Sequence, residues 1–347
     1  MTVGIEVLAI LVDAIGKTMA TRVRTMTVPC IRLRHACCSM VRMMTTTASA
    51  PKHTAVDVLE ARYELGELLG AGSMGEVYQA RDTVRGIDVA VKLMHAEQAS
   101  SRMRVARFTH EASLGARMLS PHVAKVLGLA VTRSGVPCIV FELLDGETLA
   151  SRIAYAGKLS VAETAEIVKQ TARALARIHS LGVVHRDVKP DNIFLTRDFQ
   201  GRLLVKLLDL GIAEQMGDGV AQLAGTPEYM APEVVFGSAP LDVRSDLYAL
   251  GVVAFECLTG RKPFSGTVNE VFAALRTGER PSLRDVLPGA SYDLDAWVES
   301  ALHADAFWRF ASAKEMLAAL EHALTPPAKR AERAKSAVMP AATAEAA

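Results

Sequence analysis

His185-Arg186-Asp187-Val188-Lys189-Pro190-Asp191-Asn192 places an acid, an amine and an amide within one short loop. A helix-like run precedes it and the strand-like Ile193 to Leu195 follows, so the three groups sit between regular elements. The set suits phosphoryl transfer. A transferred phosphoryl spreads negative charge over its oxygens, and positive charge must be held there in advance. Asp187 can accept a hydroxyl proton, Lys189 can reach a phosphate, and Asn192 can offer a neutral oxygen to a hard cation. Singly, each would read as part of a polar surface turn; the ordered set carries the reading.

Working outward, Leu207-Leu208-Asp209-Leu210-Gly211 is an apolar strand ending in an acid and a glycine, with Asp209 twenty-two residues beyond Asp187. Upstream, Leu69-Gly70-Ala71-Gly72-Ser73-Met74-Gly75-Glu76-Val77 supplies glycines where a backbone must approach phosphates without side chains in the way. A dinucleotide-binding turn would need a helix to begin at the third glycine, yet Glu76 to Ala80 reads as a strand. A hairpin flap fits better. Its partner is the apolar strand Val89-Ala90-Val91-Lys92, and Glu111 follows nineteen residues later on a helical pattern over Val105 to Leu119.

In content and order these stretches resemble the protein kinase family. The resemblance runs from about Tyr63 to Leu324, roughly three quarters of the chain. It implies an α+β, two-lobed fold with a small, mainly β N-lobe carrying one helix and a larger, mainly α C-lobe. The matching residues take the family's roles. Asp187 would be the base, Lys189 its phosphate-contacting neighbour, Lys92 the phosphate-binding lysine paired with Glu111, and Asp209 with Asn192 the magnesium ligands. ATP would meet Leu69, Gly70, Gly72, Gly75, Val77 and Ala90 on one side and Phe194 on the other. Phe141 would be the gatekeeper, and Glu142 and Leu144 would offer backbone groups to the base. Leu210 stands where the family keeps a Phe after the metal aspartate.

Gly225-Thr226-Pro227-Glu228-Tyr229-Met230-Ala231-Pro232-Glu233 resembles the peptide-docking end of the activation segment. Thr226 and Lys189 are serine/threonine marks. Leu144 to Leu149 and His122 to Val126 look like the bacterial branch. The resemblance also implies that Asp246 braces the catalytic loop and that Arg309 pairs with Glu233. Ala306 replaces a usual proline, so a looser loop is expected there. Arg186 belongs to the class whose charge a phosphorylated activation loop normally neutralises. Between Asp209 and Thr226 there is no Ser, Thr or Tyr, only Glu214 and Asp218 as anions. Two readings stand: Asp218 replaces the phosphate, or Arg186 is simply solvated.

Composition agrees with an enzyme of this kind. The chain has 347 residues, 50% of them hydrophobic, and a net charge of +1 that gives no electrostatic case for nucleic acid or an anionic membrane. Five cysteines form no disulfide framework or zinc spacing, which suggests a reducing, cytoplasmic setting. The expected division is 1–60, a disordered or artefactual leader; 61–144, the N-lobe; 145–324, the C-lobe; and 325–347, a disordered Ala-rich tail. Val3 to Ile15 is too short and too charged to span a bilayer. The expected function is ATP- and Mg2+-dependent transfer to Ser/Thr hydroxyls of protein substrates, with no nucleic-acid partner and no integral membrane segment. The alternative is a catalytically weak, nucleotide-binding scaffold of the same fold, against which stand the three residues Lys92, Asp187 and Asp209.

Overall fold

The protein is described by a computed structural model that covers residues 62–209, 226–278, 280–326 and 328. The expectations for the leader, for Leu210, Glu214 and Asp218, and for the tail beyond 328 lie outside the described residues. The chain divides into two compact units. One holds the residues up to Ser100 together with Ala130–Cys138; the other holds Ser101–Leu129 and everything from Ile139 on.

The first unit is built on an antiparallel meander of β1 (Tyr63–Ala71), β2 (Gly75–Asp82) and β3 (Ile87–Met94). Val89 to Met94 are all buried, the run of apolar residues being what a covered strand requires. Irregularities in the β1–β2 pairing, between Leu65 and Leu68 and again between Leu68 and Gly70, bend β1 as it nears the glycines. Asp82 closes the β2–β3 turn by accepting from the Val84 and Arg85 N–H groups at 3.1 Å. Arg62 grips the same carboxylate through two nitrogens at 3.0 and 2.8 Å. That contact, partly offset by burial, holds the Asp82 carboxyl down to about 2. A short helix, α1 (Ala96–Ala99), follows β3. It makes two helices in the segment expected to carry one. The full sheet runs β1-β2-β3-β5-β4, with β4 at Val126–Val131 and β5 at Pro137–Glu142.

In the second unit, α2 (Arg102–Arg117) begins a turn earlier than its apolar pattern suggested, because the Ser101 side chain accepts from Arg104 N–H and caps it. A small sheet joins β6 (Glu147–Thr148), β7 (Ile193–Arg197) and β8 (Leu203–Leu207) in antiparallel order. Around it lie α3 (Leu149–Ala156), α4 (Val161–His179), α5 (Pro232–Phe236), α6 (Val243–Thr259), α7 (Val268–Thr277), α8 (Leu283–Val286), α9 (Tyr292–Ala301) and α10 (Ala313–Leu324). The apolar helix α6 is buried from Ser245 to Phe255 and packs against α4 and α9, forming the centre of the core. Gly260 ends it at φ 74°, where an added Cβ would fall 2.2 Å from the Gly157 carbonyl oxygen, so only glycine fits. The architecture is therefore mixed α+β, a stranded portion followed by a helical one.

Candidate active site

The catalytic-type loop is fastened from behind by Asp246, in the first turn of α6 and only 1% exposed. Its Oδ2 accepts from His185 N–H, its Oδ1 from Arg186 N–H, and His179 Nε2 donates to Oδ2, all at 2.8 Å. A buried carboxylate with three donors is well compensated. The bracing expected of Asp246 is seen, and His179 is a further partner that sequence reasoning missed. Arg186 is held at φ 75°, and Asp209 at φ 35°. Among the described residues these are the only positive-φ positions that are not glycine. Such backbone costs of order 1–3 kcal/mol each and persists only where surrounding bonds impose it.

Asp187 Oδ2 accepts from Lys189 Nζ at 2.8 Å and from Asn192 Nδ2 at 2.7 Å. Asn192 Nδ2 also donates to the Asp187 carbonyl at 2.8 Å. Both neighbours of that nitrogen are acceptors, which fixes the amide orientation and leaves Asn192 Oδ1 turned away from Asp187. The structure thus unites Asp187, Lys189 and Asn192 in one hydrogen-bonded set. Asp209 is brought to the loop by two links through Leu208. Its N–H donates to the Asn192 carbonyl at 2.8 Å, and its carbonyl accepts from the buried His185 Nε2 at 3.0 Å. His185 Nδ1 accepts from Asp187 N–H at 3.3 Å, so one neutral imidazole serves both contacts. Asp209, Glu111, Phe141 and His185 line a common recess. The resident donor set suits magnesium, which takes one or two protein oxygens and completes its shell with phosphates and water. Among the described residues no group of three His, Cys, Asp or Glu side chains forms a self-sufficient metal cage.

A second recess brings Arg186 and Asp187 together with Thr226, Tyr229 and Met230. Arg186 Nε is buried without a hydrogen-bond partner among the described residues. Burial lowers the Arg186 pKa and the charge of Asp246 works against that. Glu233, at the head of α5, meets Arg309 in a buried two-pronged pair, both contacts at 2.8 Å. Ser245 donates to the same carboxylate at 2.9 Å, and the Arg309 guanidinium stacks 4.7 Å over the Tyr248 ring. Burial alone would raise the Glu233 carboxyl, but Arg309 and Ser245 outweigh it and hold it low. The expected Arg309–Glu233 pair is present. The looser loop expected around Ala306 is not: Ala306–Trp308 forms a single 3-10 turn capped by Asp305, and Arg244 donates to the Ala306 carbonyl at 2.8 Å.

Glu142 N–H donates to the Lys125 carbonyl at 3.0 Å, so a base bound here could use only the Glu142 carbonyl. The Glu142 side chain was not foreseen. Its Oε1 accepts from Lys125 N–H at 2.8 Å and from the largely buried Lys206 Nζ at 2.6 Å. Phe194 pairs with Lys206 across β7 and β8 and lies beside Gly146. Leu144 is half-buried two residues along from Glu142.

In the first unit, Leu69, Gly70 and Gly72 are exposed, Leu69 by 49%. Gly75 is buried, and an added Cβ would lie 2.0 Å from the Leu93 carbonyl oxygen. The expected hairpin is present, with Val77 opposite Lys92 and Gln79 opposite the buried Ala90. Lys92 is 6% exposed, and Glu111 of the second unit 3%. Charges so deep require compensation.

The chain belongs to the protein kinase family: the protein kinase domain model matches residues 63–319. It is 39% identical over 282 residues to the serine/threonine-protein kinase PknB of Mycobacterium leprae, covering 78% of this chain and 44% of that protein. With PknB of Mycobacterium tuberculosis it shares 38% over 274 residues, 76% of this chain and 43% of that one. The chain thus spans less than half the length of the curated relatives it matches. Among solved structures, the PknI kinase domain of Mycobacterium tuberculosis superposes with a TM-score of 0.61 at 28% identity, covering 80% of this chain and all of that one. Rad53 1-466 in complex with AMP-PNP gives 0.62 at 26% identity, covering 74% of this chain and 64% of that one. Among the described residues, no helix is long and apolar enough to cross a membrane.

Proposed function

We propose that this chain is a serine/threonine protein kinase that transfers the γ-phosphoryl group of ATP, with Mg2+, to hydroxyls of proteins in bacterial signalling, from a cytoplasmic location. The observation that carries the proposal is the bonding around Asp187. Lys189 and Asn192 both donate to Oδ2, while Oδ1 has no hydrogen bond among the described residues. The free oxygen is the one that would take the proton of the attacking hydroxyl. Lys189, anchored on the same carboxylate, carries a positive charge to the phosphoryl being transferred. Thr226 shares the recess with Asp187, which supports a role for it beside an entering substrate hydroxyl.

Asp209 and the outward-facing Asn192 Oδ1 would hold magnesium, which supplies charge neutralisation at the nucleotide phosphates when bound. Lys92 would bind phosphate oxygens and Glu111 would pair with it. Leu69, Val77, Ala90 and Phe194 would enclose the adenine, with the Glu142 carbonyl and Leu144 N–H reading its edge, and Gly70, Gly72 and Gly75 would admit the phosphates. Glu233 secures the docking segment rather than the chemistry. Protein substrates are the expected partners, and the printed names of the relatives support that class.

The reading is tested by incubating the chain with ATP, Mg2+ and a generic basic protein, then analysing the phosphorylated amino acids. Phosphoserine and phosphothreonine are expected; phosphotyrosine alone, or ATP binding without transfer, would overturn it.

A further inference from the structure

Three successive carbonyls of the glycine turn are held by one neighbouring segment. His95 Nε2 donates to the Gly72 carbonyl at 2.9 Å, and Gln98 Nε2 donates to the Ser73 carbonyl at 2.7 Å. His95 N–H donates to the Met74 carbonyl at 3.1 Å. His95 caps α1 and Gln98 lies within it, so the short helix after β3 acts as a bracket for the turn between β1 and β2. A stretch of Gly70, Gly72 and Gly75 has much backbone freedom to lose on ordering, and inside the turn Gly72 N–H donates to the Gly75 carbonyl at 2.9 Å.

Phosphate oxygens are repelled by carbonyl oxygens and bound by N–H groups. Tying the three carbonyls to the α1 side keeps those oxygens engaged and away from an approaching phosphate. Gln98 pays visibly for this: its Oε1 is buried without a hydrogen-bond partner among the described residues. A glutamine serving packing alone would not need to bury an unsatisfied acceptor.

We propose that His95 and Gln98 are positioning residues for nucleotide phosphates, holding the glycine turn in the conformation that receives them. The inference rests on the kinase reading above and adds to it two residues outside the glycine motif. The bonds they make run to the turn that would face the phosphates, so the effect is expected at the phosphate end of the ligand.

The test is calorimetric titration of the full chain and of His95→Ala/Gln98→Ala with ATP-Mg and, separately, with adenosine. Loss of the two side-chain hydrogen bonds should weaken ATP about tenfold and leave adenosine unchanged, and His95→Gln, which retains a donor, should recover part of the loss. In turnover, the apparent KM for ATP should rise by a similar factor while the KM for the protein substrate stays constant. Equal weakening of ATP and adenosine would mean a general structural role and overturn the proposal, as would unchanged or tighter ATP binding. Failure of the unaltered chain to bind either ligand would remove the kinase reading, and this inference with it, a result distinct from parent and variant binding alike.

Discussion

Replacing Asp246 by Asn keeps the volume of the side chain and removes its charge, and the consequences follow from the three donors it faces. Oδ2 receives His185 N–H and His179 Nε2, while Oδ1 receives Arg186 N–H. An asparagine has one acceptor oxygen. Placed to serve His185 and His179, its NH2 group confronts Arg186 N–H; turned the other way, it confronts His185 N–H. Either orientation leaves one buried backbone N–H without an acceptor, which costs about 1–3 kcal/mol, and the surviving bonds lose their charge assistance, about another 1 kcal/mol. A total near 3 kcal/mol corresponds to roughly 10 °C in Tm for a domain of this size. Function should suffer beyond stability. The positive φ of Arg186 is held by one of these bonds, and relaxation there moves Asp187, the next residue. Thermal melting and steady-state kinetics on the same preparation of Asp246→Asn should show the lower Tm together with a kcat reduced at least tenfold and a KM for ATP little changed. A variant with parental Tm and parental kcat would refute the reasoning.

Arg309→Lys removes a guanidinium that meets Glu233 at two points and also donates to the His303 and Ala304 carbonyls. A lysine cannot span those acceptors, so destabilisation of about 3 kcal/mol is expected in urea unfolding; a change under 1 kcal/mol would contradict the buried pair. Acid should unfold the protein through carboxylates held low. Asp82 is depressed in the folded state to about 2, and Glu233 also lies below its ordinary range, so their stabilisation is complete above the unfolded value near 4 and is lost as pH falls toward 2. The slope of stability against pH between about 4 and 2 should be shallower in Asp82→Asn; an identical slope would exclude Asp82 from the effect. If Asp218 neutralises Arg186, Asp218→Asn should lower kcat/KM at least fivefold with no phosphorylation of the segment involved, whereas unchanged kcat/KM would leave Arg186 without that partner.

What the chain disclosed in one dimension was the chemistry whose parts are neighbours in sequence. Asp187, Lys189 and Asn192 lie within six residues, so their meeting is a property of one loop. The strand-like Glu76 to Ala80 and the apolar Val89 to Lys92 gave the β2–β3 hairpin. Asp246 and the Arg309–Glu233 pair were legible through resemblance alone, since 60 and 76 residues separate the partners and no local pattern joins them. The Glu142–Lys206 contact escaped notice for that same reason, although a lysine inside the apolar run Leu203 to Leu207 was a signal that a buried acid would be found opposite it. The left-handed backbone at Arg186 had no signal at all, because glycine or asparagine would normally announce it. The bracket formed by His95 and Gln98 depends on how a three-residue gap folds back on α1, which composition does not encode.

The most direct measurement is single-turnover phosphoryl transfer by the parent chain and by Asp187→Asn, with ATP-Mg saturating and nucleotide binding measured alongside. If Asp187 Oδ1 takes the hydroxyl proton, transfer should fall by about 100-fold or more while the affinity for ATP stays within a factor of two. Transfer at the parental rate would contradict the assignment of the base, and with it the account of how this loop works.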